Sequence, residues 1–210
     1  PLAIPPLLAQ LRPPTPQDEE AAYVFTTSTR ALAFMGDPAR DALRAAVGGS
    51  DPAARAGAAY ALGMSGDPRN LETVFTALRD PDYRVRRAAA LGLEMNADVR
   101  AVPAFLATLR DKDVPVRLAV IRALGATGDR RAVDPLLRLL RDPAPAVRAA
   151  ALSALKAFNE PRILTALEKL QQDFDPQVRV ALAEGGAWAN DPRGMAILAK
   201  LLPDRNKLVR

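Results

Sequence analysis

The sequence predicts an all-α protein, a right-handed solenoid of stacked antiparallel helix pairs, on three observations. The first is a fixed beat. Val85-Arg86, Val116-Arg117, Val147-Arg148 and Val178-Arg179 recur every 31 residues, with Ala54-Arg55 one period earlier and Val209-Arg210 one period later. A period of this size marks an architecture in which each repeat buries its apolar face against its neighbours. The second observation is that polar and apolar columns share one register. Asp67, Asp98, Asp129, Glu160 and Asp191 form an acidic column, followed two residues on by Arg69, Arg100, Arg131, Arg162 and Arg193. Asp80, Asp111, Asp142, Asp173 and Asp204 form another. Leu71, Val102, Val133, Leu164 and Met195, and Leu62, Leu93, Leu124 and Leu155, are apolar columns between them. The third is that no stretch has the β-branched alternation and hairpin turns of strands.

Taken in order, residues 1–36 are expected to form an irregular, Pro-rich capping unit with helices near 5–12 and 17–35. An atypical first repeat is what closes the end of a solenoid. Residues 37–210 carry the repeats as one continuous domain. The repeat Gly128–Phe158 shows their plan. After Asp129, Val133, Leu136, Leu137 and Leu140 fall at helical spacing and give a first helix one apolar face. Asp142-Pro143 then interrupts, because an Asp side chain caps a following helix and Pro fits its first turn, where no amide donor is needed. Val147, Ala150, Ala151, Ala154 and Leu155 give a second helix, and its alanines allow a neighbour to approach closely. The same reasoning places first helices near 38–48, 68–79, 99–110, 130–141, 161–172 and 192–202, and second helices near 51–64, 82–95, 113–126, 144–157 and 175–188. The last repeat is incomplete, since Val209-Arg210 lies only part of the way into a second helix. With Pro1 rather than Met in first place, the chain is expected to be a piece of a longer or processed one.

Gly128-Asp129, Arg131-Ala132-Val133, Pro135-Leu136, Leu139-Leu140, Asp142, Val147-Arg148, Ala150-Ala151 and Ala154-Leu155 resemble the short HEAT-like repeats known from phycobilisome lyases and many bacterial and archaeal scaffolds. The resemblance runs from about residue 37 to residue 210. It is specific for fold and nearly silent on function, because such repeats occur in lyases, glycosylases, hydroxylases and pure adaptors. Tetratricopeptide and ankyrin repeats have nearby periods, but their signature residues are missing.

The chain carries 29 Lys and Arg against 24 Asp and Glu, a net charge of +5, which invites a nucleic-acid reading. The columns argue against it. The resemblance implies that the Asp before each second helix and the Arg in its first turn form a hydrogen-bonded ladder: Asp80/Arg86, Asp111/Arg117, Asp142/Arg148 and Asp173/Arg179. The Asp67/Arg69 column can neutralise itself at the turns between repeats. Arg79, Arg110 and Arg141 close first helices, where a cation meets the negative end of the helix dipole.

The residues free to act are those that vary on the outward side of the second helices, which line the concave face in related solenoids. These run through Ala53, Ala56 and Tyr60; Arg84, Arg87 and Leu91; Pro115, Leu118 and Arg122; Ala146, Ala149 and Ser153; and Gln177, Val180 and Glu184. Tyr83, Met64, Met95 and Trp188 flank them, with Met64 and Met95 equally readable as core. Aromatic and Met residues with arginine at the margin are typical of a protein-binding surface. The expected partner-binding set is Tyr60, Tyr83, Arg84, Arg87, Leu91, Leu118, Arg122, Val180, Glu184 and Trp188. Gly185-Gly186 either makes room for the Trp188 indole in the core or marks close approach by a partner.

The chain has no histidine and no cysteine. That excludes Cys and His nucleophiles, Ser-His-Asp triads, and zinc or haem sites built on those ligands. No phosphate-binding glycine loop occurs, since Gly48-Gly49 lacks the Lys-Ser/Thr that would follow. No catalytic residue, cofactor or metal is therefore expected. No apolar run is long enough to span a membrane. The compartment stays open: the cytoplasm is slightly favoured, and a leader removed upstream of Pro1 would place the chain in the periplasm or outside. The leading functional expectation is a non-catalytic scaffold that binds another protein through the concave face, within a larger assembly. The alternatives are nucleic-acid binding through Arg84, Arg87 and Arg122, and an accessory role like that of a bilin lyase or its chaperone.

Overall fold

The computed structural model describes residues 3–12, 19–158, 160–184 and 191–210, the side chains of 19–22 excepted. Each predicted helical segment holds one helix. The first-helix row is α1 (Ile4–Ala9), α3 (Asp37–Val47), α5 (Leu71–Ala77), α7 (Val102–Thr108), α9 (Val133–Leu139), α11 (Pro161–Leu170) and α13 (Pro192–Ala199). The second-helix row is α2 (Glu19–Phe34), α4 (Pro52–Met64), α6 (Tyr83–Glu94), α8 (Val114–Thr127), α10 (Pro145–Leu155) and α12 (Pro176–Ala183). No strand occurs among the described residues, and no helix among them is long and apolar enough to cross a membrane.

The boundaries differ from the expected ones for a local reason. Asp67, Asp98 and Asp129 each accept the amide of the residue two positions on, and their carbonyls accept the amide three positions on at 2.9, 3.0 and 2.9 Å. This closes a tight 3₁₀ turn at Pro68–Asn70, Val99–Ala101 and Arg130–Ala132, so α5, α7 and α9 start only afterwards. The capping residue also differs. Asp80, Asp111, Asp142 and Asp173 do not cap the second helices. Each accepts the amide of the residue two on, at 2.8 to 2.9 Å, in a turn before the helix. The caps are Asp51, Asp82 and Asp175, whose carboxylates take the amides of Ala53, Arg84 and Gln177. Ala144 stands at that place before α10 and makes no side-chain cap.

The chain groups into two compact units, Pro1–Ala123 and Leu124–Arg210. In the first, Leu32, Leu43, Leu62, Leu93 and Phe105 are fully buried, and α1 and α2 pack on α3 and α4. In the second, Leu136, Leu152, Leu155 and Ile163 are among the fully buried residues. Val209 is buried as well, and Arg210 donates to the Asp204 carbonyl at 2.8 Å, although the segment after Ala199 forms turns rather than helix. Of the predicted apolar columns, Met195 departs, at 52% exposed.

Two positions in the first unit set backbone requirements. A Cβ on Gly92 would lie 2.5 Å from the Tyr60 carbonyl oxygen and 3.2 Å from the Gly63 Cα, so α4 and α6 meet backbone to backbone at that point. Gly66 and Gly128 follow second helices with φ of 67° and 62°, and Ala97 holds the equivalent place at φ 48°. Left-handed backbone is strained for any residue with a Cβ. Swapping glycine and alanine at the two sites therefore acts with opposite signs. Gly92→Ala gains about 1 kcal/mol of helix propensity but loses about 1–3 kcal/mol to overpacking, for a net destabilisation in urea unfolding. Ala97→Gly raises stability by up to about 1 kcal/mol, the relieved strain exceeding the added freedom of the unfolded chain.

Candidate functional site

Most of the conspicuous arginines are engaged within the fold. Arg86 leaves the first turn of α6 and donates through Nη1 to the carbonyls of Asp80 and Pro81 at 2.8 and 3.0 Å. Its Nε and Nη2 fork onto the Asp111 carboxylate of the following repeat at 2.6 and 2.9 Å, and Nη2 also reaches Asp113 at 2.7 Å. Arg55 grips Asp80 in the same way in the first compact unit, at 2.9 and 3.0 Å. In the second, Arg148 grips Asp173 at 2.8 and 2.7 Å and Arg179 grips Asp204 at 2.7 and 3.1 Å. Arg86 and Arg179 meet the backbone carbonyl of the Asp six residues earlier while their forks go to the next repeat's carboxylate, and Arg148 and Arg117 reach the equivalent carbonyl. The Asp is already bonded to the amide two residues on, and this turn presents its remaining acceptors to the preceding repeat's arginine.

Burial works to raise the Asp111 and Asp173 carboxyls, but the bonds from Arg86 and Arg148, a backbone amide and the nearby positive charge together outweigh it and hold both below their ordinary value. The other column closes on itself: Arg69, Arg100, Arg131 and Arg162 contact Asp67, Asp98, Asp129 and Glu160 at 2.6 to 2.7 Å. The Arg69 bond and the Arg69 amide hold Asp67 down to about 2. Arg84 is held likewise by its own cap, with Nη2 2.6 Å from Asp82, which also drops to about 2.

Against this background a groove opens between α6 and the first half of α8. Tyr83, Arg87, Pro115, Leu118 and Arg122 line a cavity of about 310 Å³. Four of the ten residues expected to bind a partner come together here: Tyr83, Arg87, Leu118 and Arg122. Tyr83 is 43% exposed, Leu118 half-buried, and both arginines are exposed. Arg122 lies 3.5 Å from Glu94. Arg87 makes no side-chain hydrogen bond or ion pair among the described residues.

The other expected residues fall elsewhere. Tyr60 is half-buried with its ring 6.3 Å from that of Phe25, and Ala56 is core because the N-terminal helices pack on α4. Leu91 is half-buried outside the groove lining, and Arg84 points its charge at Asp82. Val180 is half-buried and Glu184 exposed, both on the second compact unit. Met64 is half-buried, whereas Met95 is 62% exposed and so is not core. Trp188 and Gly185-Gly186 lie outside the described residues. Phe174 was not anticipated: it is 81% exposed, with the Arg148 guanidinium 4.9 Å from its ring centre. Its column holds Pro81, Lys112, Pro143 and Arg205, so the repeat gave no signal for an aromatic ring there.

Paired helices in a fixed register, linked by side-chain bridges and carrying a surface groove, define a repeat protein of the α-solenoid class. The family model for HEAT repeats matches residues 4–94, 71–156 and 102–173, and the chain belongs to the HEAT-repeat family. Among solved structures, a chain in the complex of CpcE and CpcF of phycocyanin lyase from Nostoc sp. PCC7120 is 26% identical, with a TM-score of 0.57 over 97% of this chain and 89% of that one. The Escherichia coli protein YibA is 20% identical with a TM-score of 0.70, over 96% of this chain and 76% of that one. A designed armadillo repeat protein in complex with the peptide (KR)4 is 16% identical with a TM-score of 0.55, over 93% and 99% of the two chains. At these identities YibA and the designed protein show the fold alone. No curated protein sequence matches the chain.

The carboxylates define an acid limit. Asp67 and Asp82 ionise near 2 in the fold against an ordinary 3.8, so the stability they contribute is present above that ordinary value and is lost as pH falls through the folded one. Asp111, Asp173 and Asp204 are lowered too and act with the same sign. With no histidine in the chain, the urea midpoint is expected to stay flat between about pH 7 and 5 and to fall steeply between about pH 4 and 2.

Proposed function

We propose that the protein is a non-catalytic adaptor that binds a partner protein through its second-helix surface, with the α6/α8 groove as the anchoring point. The observation that carries this reading is the groove itself: an exposed tyrosine, a half-buried leucine and an arginine with no acidic partner among the described residues around one cavity. Tyrosine and arginine dominate the energetics of protein interfaces because they combine a large contact area with directional polar ends. A cavity of about 310 Å³ accommodates one or two anchoring side chains, and Arg87 supplies a charge for a partner's carboxylate or carbonyl.

The geometry weighs against nucleic acid at this place. Of the three arginines that suggested it, Arg84 is held by Asp82 and Arg122 lies near Glu94, which leaves Arg87 alone. Affinity for duplex DNA rests on several phosphate contacts at once. A second reading is favoured by one specific observation, the match over 97% of the chain to a chain of the CpcE–CpcF complex. On that reading the protein is one half of a two-chain, lyase-associated assembly, and the groove receives the other half.

The test compares proteins recovered from the source cells by the affinity-tagged chain and by its Arg87→Asp/Leu118→Asp variant. The variant should lose a specific, stoichiometric partner by at least about tenfold while its far-ultraviolet circular dichroism is unchanged, since both side chains face solvent at least in part. Undiminished recovery of that partner would contradict the α6/α8 reading. Recovery of nucleic acid instead, lost on raising the salt, would replace it with the phosphate-binding one.

A further inference from the structure

A second groove lies on the other row of helices, within the second compact unit, and is larger. It runs between α9 and α11 and encloses about 720 Å³. Its two walls match. Lining residues step at i, i+3, i+4 and i+7 from Asp134 to Arg141 on α9 and the turn after it, and from Arg162 to Lys169 on α11. Seven residues of helical rise give a trough about 10 Å long. Leu140 and Leu170, each 6% exposed, and half-buried Leu137 provide an apolar base. Part of the opening is explained by α11 itself. The column of Phe75, Leu106 and Leu137 continues there as Glu168, which is exposed, and Thr165 and Ala166 are too small to fill the gap.

The charge is one-sided. Asp134 is the single acid in the lining and is held by Arg162 at 2.6 Å. Arg138, Arg141 and Lys169 are exposed, and none of them makes a side-chain hydrogen bond or ion pair among the described residues. Three cations without an acidic partner among the described residues therefore stand around a leucine-lined trough, whereas the Arg69 and Arg86 columns meet acids.

We propose that this groove docks an acidic amphipathic segment of a partner protein, its carboxylates meeting Arg138, Arg141 and Lys169 and its apolar side chains covering the leucines. The combination selects the occupant. A phosphate backbone would satisfy the cations but leave half-buried Leu137 and the apolar base beside it uncovered, whereas a helix with leucines on one side and glutamates beside them satisfies both. The surface is separate from the α6/α8 groove, so one chain offers two attachment points to its assembly.

The test uses fluorescence anisotropy on the full chain. The probe is a labelled peptide of about 14 residues made of glutamate and leucine, with its leucines at i, i+3, i+4 and i+7. Saturable binding is expected in the ~10 µM range, together with a loss of at least about tenfold in Arg138→Glu/Lys169→Glu. The Arg87→Asp/Leu118→Asp variant should bind the probe as the unaltered chain does, which separates this site from the first. If the glutamate pair lowers helicity, Arg138→Gln/Lys169→Gln gives the same reading with a smaller loss. Undiminished binding by these variants would overturn the proposal. So would equal binding of a peptide with serine in place of leucine, because the leucine base would then have no role. Displacement of the probe by substoichiometric duplex DNA would assign the groove to nucleic acid instead.

Discussion

The structure depends on one interaction, the arginine of a second helix that binds its own repeat and the next one at the same time. Arg86 shows why a single side chain is enough. One guanidinium nitrogen fixes the carbonyls of Asp80 and Pro81, which end the turn between α5 and α6. The other two fork onto Asp111, 25 residues on, and the same carboxylate orders the turn before α8 through the Asp113 amide. Turn, helix start and spacing between repeats are thereby set together. The planar, five-donor guanidinium is suited to this task and a lysine ammonium is not. With bridges of this kind on either side, a repeat cannot gain or lose a residue without breaking one, which accounts for a period of 31 held over successive arginines.

The same interaction explains why a chain with a net charge of +5 does not present its arginines as a uniform basic face. The regular columns are engaged with aspartates: Arg69, Arg100 and Arg131 two residues away, Arg55, Arg86, Arg148 and Arg179 one repeat away. Side chains that vary between repeats then decide what a surface can hold. Arg87 is exposed at a position where α4 has Ala56 and α10 has Ala149. Arg138 and Lys169 stand where α5 and α7 have Thr76 and Ala107. Both grooves are built from departures from the repeat.

Much of this was legible in the sequence, and the gaps have physical causes. Helix positions followed from apolar spacing and from Asp-Pro punctuation, because each repeat restates the same pattern. The caps and the 3₁₀ starts were not legible, since Asp80 and Asp82 are both plausible caps and only geometry shows which meets the helix amides. The ladder was expected within each repeat, as Asp80/Arg86 and Asp142/Arg148, whereas Arg86 and Arg148 fork onto Asp111 and Asp173 one repeat on, because a column of aspartates beside a column of arginines does not say which repeat supplies each one. Arg87, Leu118 and Arg122 face outward and vary between repeats, Tyr83 flanks them, and those four converge. Tyr60 and Arg84 met the same criteria, but one rests against Phe25 and the other on Asp82. The α9/α11 groove lies on first-helix faces, where most outward positions are ordinary solvent-exposed surface, so the repeat pattern does not set it apart. The signal was available in Glu168, where the apolar column of Phe75, Leu106 and Leu137 turns charged.

The most direct measure of the account is a double-mutant cycle across one bridge, with Arg86→Leu, Asp111→Leu and the two combined, read by urea unfolding. Arg86 and Asp111 leave only 8% and 9% of their side-chain surfaces exposed, so removing either partner leaves the other poorly solvated with part of its hydrogen bonds unmade. Each single change is predicted to cost about 2 kcal/mol or more, and the double change clearly less than their sum, with a coupling of at least about 1 kcal/mol. Strictly additive losses, or single changes within about 0.5 kcal/mol of the unaltered chain, would show that the bridge is incidental and that apolar packing alone holds the repeats in register.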